Sequence, residues 1–198
     1  MKILIATNNK HKIIEIKNIL NNDKIELLTL SDLSIDIEVE EDKDTLEGNA
    51  LKKAEEMYKI AKIPTIADDT GLFVYSLNNE PGVFSSRYAG ENASYDDNCI
   101  KLLNAMTNIP EENRRAYFKT VVCIYENDDK YNFFDGICEG RISKKKHGEK
   151  GFGYDPLFIP DGFDKTYAEM SEKEKNSISH RGRAFVKAGD FIVNKLLN

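Results

Sequence analysis

Residues 66–74 read Ile-Ala-Asp-Asp-Thr-Gly-Leu-Phe-Val, an apolar run with the character of a buried strand that two adjacent acids interrupt. Burying a carboxylate is costly unless a cation or hydrogen-bond donors pair with it. Neighbouring residues on a strand point to opposite faces, so one acid is expected to face a cleft. The other is expected to meet backbone groups or a nearby cation. A hard divalent cation such as Mg²⁺ accepts one or two carboxylates together with phosphate oxygens, and Glu41 offers a further carboxylate. Composition alone reads Glu40, Glu41, Asp42 and Asp44 as a solvated acidic edge. Asp69-Thr70-Gly71 also spells the triplet of aspartic proteases, which bring two such carboxylates together to share one proton. The sequence contains no second such triplet, and Asp68 sets a like charge beside the first, so that chemistry is set aside.

Three other groupings carry chemical potential. Thr7-Asn8-Asn9-Lys10-His11-Lys12 lies between an apolar strand pattern and a helical one. Orphan N–H groups at a helix start favour anions, and the lysines add charge, so this is a candidate phosphate cradle. The glycines of a Walker loop are absent, and an ordinary Asn-capped turn accounts for the same residues. Gly151-Phe152-Gly153-Tyr154-Asp155-Pro156-Leu157-Phe158 combines flexible glycines with an aromatic ring and an acid. Phe152 offers a stacking platform, worth about 1–3 kcal/mol per nucleic-acid base, and Asp155 an acceptor for a ring N–H. A tight turn into a buried strand, with Phe152 and Phe158 in the core, explains the stretch equally. In Lys175-Asn176-Ser177-Ile178-Ser179-His180-Arg181, Ser179 reads as the cap of a last helix, leaving His180 and Arg181 in its first turn. Cations there oppose the helix dipole, which hints at another use.

The elements that must hold these groups mix strands and helices. Strands are predicted at Lys2–Thr7, at Ile25–Leu30 and, half exposed, where Ile35, Ile37 and Val39 alternate with acids. Asn8-Asn9-Lys10 turns into a helix carrying Ile13, Ile16, Ile19 and Leu20 on one face. A second helix spans Thr45–Ala61 with Leu46, Ala50, Ala54 and Met57 inward, and Pro64 stops it. A Pro81-Gly82 turn follows, then a helix over Tyr95–Met106 with Ile100, Leu103 and Met106 on one side. Ala116–Tyr125 and Tyr131–Ile142 read as a long hairpin around Glu126-Asn127-Asp128-Asp129, and the final helix runs from Ser179 to Leu197, weakened by Gly182 and Gly189. No repeat or low-complexity linker is present. The pattern predicts an α/β fold with a mixed sheet.

The totals bound the rest. The chain has 198 residues, 40% of them hydrophobic and 31% charged, which suits a normal core in one large domain or two lobes around a shared sheet. No apolar run approaches the roughly 20 residues of a membrane span. The first residues, MKILIATNNK, lack a small-residue cleavage site and read as a strand rather than a signal peptide, so the expected compartment is the cytosol. Cys99, Cys123 and Cys138 are odd in number and lack metal spacing, as expected of reduced thiols. A net charge of -6 argues against a nucleic-acid coat and leaves room for a local basic pocket.

The order of the blocks is more specific than any one of them. ATNNKHK, EEDKDTLEGNALKKAE, IADDTGL, PGVFSSRYAG, GFGYDPLF and KNSISHRGRAF follow one another from about Ile3 to Phe185. This ensemble resembles the inosine triphosphate pyrophosphatase family, the noncanonical purine nucleoside triphosphate pyrophosphatases. The resemblance implies one domain over 1–198: an elongated mixed sheet flanked by helices, in two lobes with a central nucleotide cleft. It implies a homodimer without nucleic-acid or membrane partners. The implied reaction is Mg²⁺-dependent hydrolysis of ITP, dITP or XTP to the monophosphate and pyrophosphate. Carried over residue by residue, the phosphate loop falls on Thr7, Asn9 and Lys12 within residues 7–12, with Lys53 on the phosphate side. The metal-binding acids fall on Glu41, with Glu40 as the alternative, and on Asp69, the family's proton acceptor. Thr70 falls beside the substrate, and Arg87 comes from the SSRYAG block. The base pocket falls on Phe152, Gly153, Tyr154, Asp155, Lys175, His180 and Arg181. Asp42-Lys43-Asp44 stands where the family carries a Thr-Gly pair. A Maf-like pyrophosphatase, a non-catalytic nucleotide sensor and a single-stranded RNA module are the rival classes; the Ser-His-Arg block argues against the first, and the acidic charge against the last.

Overall fold

Lys-Ile-Leu-Ile opens the molecule as strand β1 (Lys2–Ile5), whose apolar residues are buried on both faces. Such a two-sided apolar run is the signature of a strand with parallel neighbours on each side. The computed structural model, which describes residues 1–127 and 130–197, shows that arrangement. β1 pairs in parallel with β2 (Glu26–Thr29) in the register Ile3 to Leu27, and with β3 (Thr65–Val74) in the register Leu4 to Thr65 and Ile5 to Ile66. The helices between them are α1 (Lys10–Ile19) and α2 (Leu46–Ala61). Later come β4 (Pro81–Gly82), α3 (Tyr95–Ala105), β5 (Arg115–Asn127), β6 (Lys130–Ile142), β7 (Phe158–Pro160), α4 (Glu172–Ile178) and α5 (His180–Phe191). The hydrogen-bonded order is β2-β1-β3-β5-β6-β7, with β4 added to β3. β3–β4 and β6–β7 run antiparallel, so the sheet is mixed, as the sequence predicts.

The chain divides into two compact units: residues 1–69, 120–136 and 181–198, and residues 70–119 and 137–180. In the first, α1 lays Ile16 and Leu20 against Ile3, Ile5, Ile66, Val122 and Ile124, with Ala184, Phe185, Ala188 and Ile192 from the C-terminal helical segment. In the second, Leu72, Val74, Leu102, Phe118, Ile142, Leu157 and Phe158 form the core. Cys99, Cys123 and Cys138 are buried free thiols. Among the described residues no helix is long and apolar enough to cross a membrane.

Several expectations need correction. Residues 35–40 form no strand. Their backbone is irregular, and the Ile37 carbonyl accepts from the Asn8 side chain at 3.3 Å rather than from a ladder. Pro81-Gly82 is more than a turn, because it bonds back along β3 opposite Leu72 and Phe73. On α3 the buried residues are Asn98, Cys99 and Leu102, followed by Met106 at its C-cap, whereas Ile100 lies 47% exposed, so the inward stripe carries Cys99 and Leu102 where Ile100 and Leu103 were expected. The C-terminal helix is preceded by α4, whose start is capped by Ser171 and whose end falls at Ser179. α5 passes into a π turn over Ile192–Leu196. The hairpin expected around residues 126–129 has its tip, Asp128 and Asp129, outside the described residues.

One motif glycine has a mechanical reason. A Cβ on Gly71 would come within 2.5 Å of the Gly82 carbonyl and 2.8 Å of the Phe73 ring. Only a glycine lets β4 lie this close to β3. Gly71→Ala is expected to cost about 1–3 kcal/mol through overpacking, read as a lower denaturation midpoint in urea.

Candidate active site

The two interrupting acids of β3 leave the strand in different directions, as strand parity requires. Asp68 has an almost fully buried side chain. Its Oδ2 lies 3.1 Å from the Lys12 ammonium and accepts from Arg181 Nε at 3.3 Å and Nη2 at 3.4 Å. Arg181 Nη1 donates to Glu15 Oε2 at 2.6 Å. Lys12 and Glu15 are three apart on α1 and share a face. The result is an alternating chain of charges, Lys12–Asp68–Arg181–Glu15, buried at its centre and reached by solvent at Lys12. Burial would lift Asp68, but Lys12 and then Arg181 outweigh it and hold its carboxyl well below the usual range. Burial depresses the Lys12 ammonium, and Asp68 restores only part of the loss.

Asp69 turns to α2. Thr45 caps that helix by accepting from the Gly48 N–H, which sets Asn49 and Lys53, four apart, on one buried face. Asn49 Nδ2 donates to Asp69 Oδ2 at 3.2 Å, and Lys53 Nζ to Asp69 Oδ1 at 3.4 Å. Lys53 also donates to the Asp68 carbonyl at 2.8 Å and to Glu41 Oε1 at 2.5 Å. Its three protons thus meet three acceptors. Glu41 is turned inward while Glu40 is exposed. Burial raises Asp69, Lys53 opposes it and Glu41 adds to it, leaving the carboxyl above its ordinary value. Burial works against the Lys53 charge, yet Asp69 and Glu41 overcome it and raise that group.

The remaining phosphate-loop candidates are engaged locally. Asn9 Oδ1 caps α1 by accepting from the His11 and Lys12 N–H groups, and Thr7 Oγ1 accepts from the Asn9 N–H. Asn8, Lys10 and His11 are exposed. Of residues 7–12, the structure brings the side chain of Lys12 into the acid cluster.

The second unit holds the other candidates. The turn at residues 151–155 folds so that Asp155 Oδ2 accepts from the Phe152 N–H at 2.9 Å and from Lys175 Nζ at 2.6 Å. A Cβ on Gly151 would overlap Asp155 Oδ2, which explains the glycine at that point. Lys175 comes from α4, and its ammonium lies 5.0 Å from the Phe152 ring centroid and 5.5 Å from that of Tyr167. Phe152 is half-buried, with Tyr95 at 5.9 Å. Tyr154 points inward and donates to the Ser85 carbonyl at 2.8 Å, so it anchors the turn. Gly153 has a positive φ of 61° and accepts from Cys99 Sγ. His180 is buried with its ring stacked on Phe118 at 4.4 Å. Arg87 lies over Phe84 at 5.2 Å and near Glu91, and Thr70 is half-buried. Arg181 was grouped with the base pocket by resemblance; the structure gives its guanidinium to Asp68 and Glu15.

A family model described as the Ham1 family matches residues 3–191. The chain belongs to the Ham1 family. A relative from Thermoanaerobacter sp., named dITP/XTP pyrophosphatase, is 47% identical over 196 residues, covering 99% of this chain and 98% of the relative. The solved Ham1 protein of Staphylococcus aureus is 41% identical with a TM-score of 0.87, covering 98% of this chain and 100% of that one. That of Coxiella burnetii is 36% identical with a TM-score of 0.89, covering 98% of each. The mixed α/β fold is therefore that of the Ham1 proteins, and the resemblance read from the order of the motifs is borne out.

Two residues of the buried charge cluster escaped the sequence reading. Glu15 sits between Ile14 and Ile16, which hid it as a helix-face acid; its i, i+3 relation to Lys12 was the available signal. Asn49, four before Lys53, carried the same kind of signal. Glu15→Ala leaves Arg181 short of a buried anion and is expected to destabilise the chain by about 3–5 kcal/mol in urea unfolding. Glu15→Gln, whose amide oxygen still accepts from Arg181, is expected to lose less.

Proposed function

We propose that this chain hydrolyses noncanonical purine nucleoside triphosphates, dITP, ITP and XTP, to the monophosphate and pyrophosphate. The observation that carries the reading is the convergence of Lys12, Lys53, Glu41, Asp68 and Asp69 within one unit of a Ham1 fold. Relatives named dITP/XTP pyrophosphatase over nearly the whole chain support it.

The donor set fits a divalent cation. Glu41 and Asp69 already gather around one positive centre, the Lys53 ammonium, at 2.5 and 3.4 Å. Around them, three cations (Lys12, Lys53, Arg181) face four carboxylates (Glu15, Glu41, Asp68, Asp69), an excess of one negative charge. A polyphosphate would be repelled by that excess, and a divalent ion reverses its sign. Glu41 and Asp69 would hold Mg²⁺, which supplies charge neutralisation on the phosphate oxygens.

The chain's own groups do the rest. Lys12 binds the phosphate tail as a point charge held in place by Asp68. Lys53 keeps Glu41 and Asp69 apart and exchanges one acceptor for a phosphate oxygen. Asp69 orients the attacking water and takes its proton on a carboxylate oxygen. Purine choice falls to the Phe152–Asp155 turn with Lys175 and His180. Phe152 offers a stacking face, and a carboxylate acceptor favours purines with N1–H over adenine, whose N1 is itself an acceptor. A homodimer and a cytoplasmic setting belong to the same reading.

The test is pyrophosphate release from a nucleotide panel with and without Mg²⁺. Release from dITP and XTP well above ATP, abolished by chelation, is expected. An enzyme that cleaves ATP as fast as dITP contradicts the reading. Asp69→Asn is expected to lower turnover at least about 10²-fold with an unchanged circular dichroism spectrum. Turnover like wild type in that variant removes Asp69 from the mechanism.

A further inference from the structure

Glu41 stands on a stretch that no ladder fixes. Residues 35–44 form no strand, and side-chain amides hold them together with the Lys52 and Lys53 ammonium groups, which meet Asp42 and Glu41. Asn8 Nδ2 donates to the Ile37 carbonyl at 3.3 Å. Asn49 grips Lys43, two residues beyond Glu41, by both backbone groups: its Oδ1 accepts from the Lys43 N–H at 2.9 Å, and its Nδ2 donates to the Lys43 carbonyl at 3.3 Å. The same Nδ2 reaches Asp69 Oδ2 at 3.2 Å. Asn49 is fully buried, and both of its amide N–H donors and its carbonyl oxygen are engaged by Lys43 and Asp69. It thus ties the segment bearing Glu41 to the Asp69 oxygen that Lys53 does not reach.

We infer that Asn49 is a positioning residue that fixes the separation and orientation of Glu41 and Asp69. The inference rests on the proposed pyrophosphatase reading. An aliphatic side chain at 49 would release the Lys43 backbone, leaving the stretch held at Asp42 and Glu41 by flexible lysines, and would leave Asp69 to rotate about its bond to Lys53. The catalytic carboxylate would then lose alignment while the phosphate and base contacts stay in place. Misplacement by about 1 Å can cost about 10²-fold in rate, so the loss is expected in kcat rather than in KM.

Two variants test this, with hydrogen exchange at the Lys43 amide and steady-state kinetics on dITP as readouts. In Asn49→Ala, Lys43 exchange is expected to rise about tenfold or more, because its acceptor is gone. Its kcat is expected to fall about 10²-fold with KM within about threefold. Asn49→Asp keeps an oxygen for the Lys43 N–H but sets a second carboxylate against Asp69. Its Lys43 exchange is expected to stay within about threefold of wild type while kcat still falls about 10²-fold, a split that a purely structural role does not produce. If Asn49→Ala does not fold, Asn49→Asp decides alone. Wild-type turnover in either folded variant, or unchanged Lys43 exchange in Asn49→Ala, overturns the inference. A wild-type protein inert toward every nucleotide of the panel overturns the functional reading instead, and Lys43 exchange then still decides whether Asn49 holds the stretch.

Discussion

The pairing of two neighbouring buried carboxylates with cations from three different helices is the interaction on which this molecule depends. Asp68 has no solvent to turn to, and neither has Arg181. Each makes the other's burial tolerable, and Lys12 and Glu15 extend the alternation at both ends. Removing any one member leaves the buried set with one uncompensated charge in a low-dielectric setting. The helices are therefore tied to the strand by requirement as well as by packing. α1 brings Lys12 and Glu15, α2 brings Asn49 and Lys53, and α5 brings Arg181.

Much of the scaffold was legible because its signals are local. Two-sided apolar runs gave β1 and β3, and i, i+4 spacing gave the buried Leu46, Ala50, Ala54 and Met57 of α2. The failures lie where a pattern has a meaning only in context. Ile35, Ile37 and Val39 alternate as a strand should, yet among the described residues no neighbouring strand takes their hydrogen bonds. Ile100 is apolar and correctly spaced for α3, but Cys99 and Leu102 already fill the inward stripe. α4 is seven residues long, too short for a periodicity argument, and its polar composition concealed it.

The chemistry was legible in residue type and less so in partnership. That Asp68 and Asp69 need cations followed from burial alone. Which cations they find did not, because Asp68 and Arg181 lie 113 positions apart in the chain. Tyr154 shows a further limit. The family resemblance alone places it in the base pocket, while its hydroxyl donates to the Ser85 carbonyl and supports the turn.

The pairing of β1 with β3, Leu4 against Thr65 and Ile5 against Ile66, has a bearing on how this chain can diverge. Side chains alternate with an exact period of two, so sliding β3 by a single position would send Asp69 toward α1 and α5 and Asp68 toward α2. An insertion or deletion between Thr65 and Asp69 would thus interchange two identical side chains and ruin both environments. A change of length is therefore expected to be tolerated in segments outside that pleat and to unpair both acids within it.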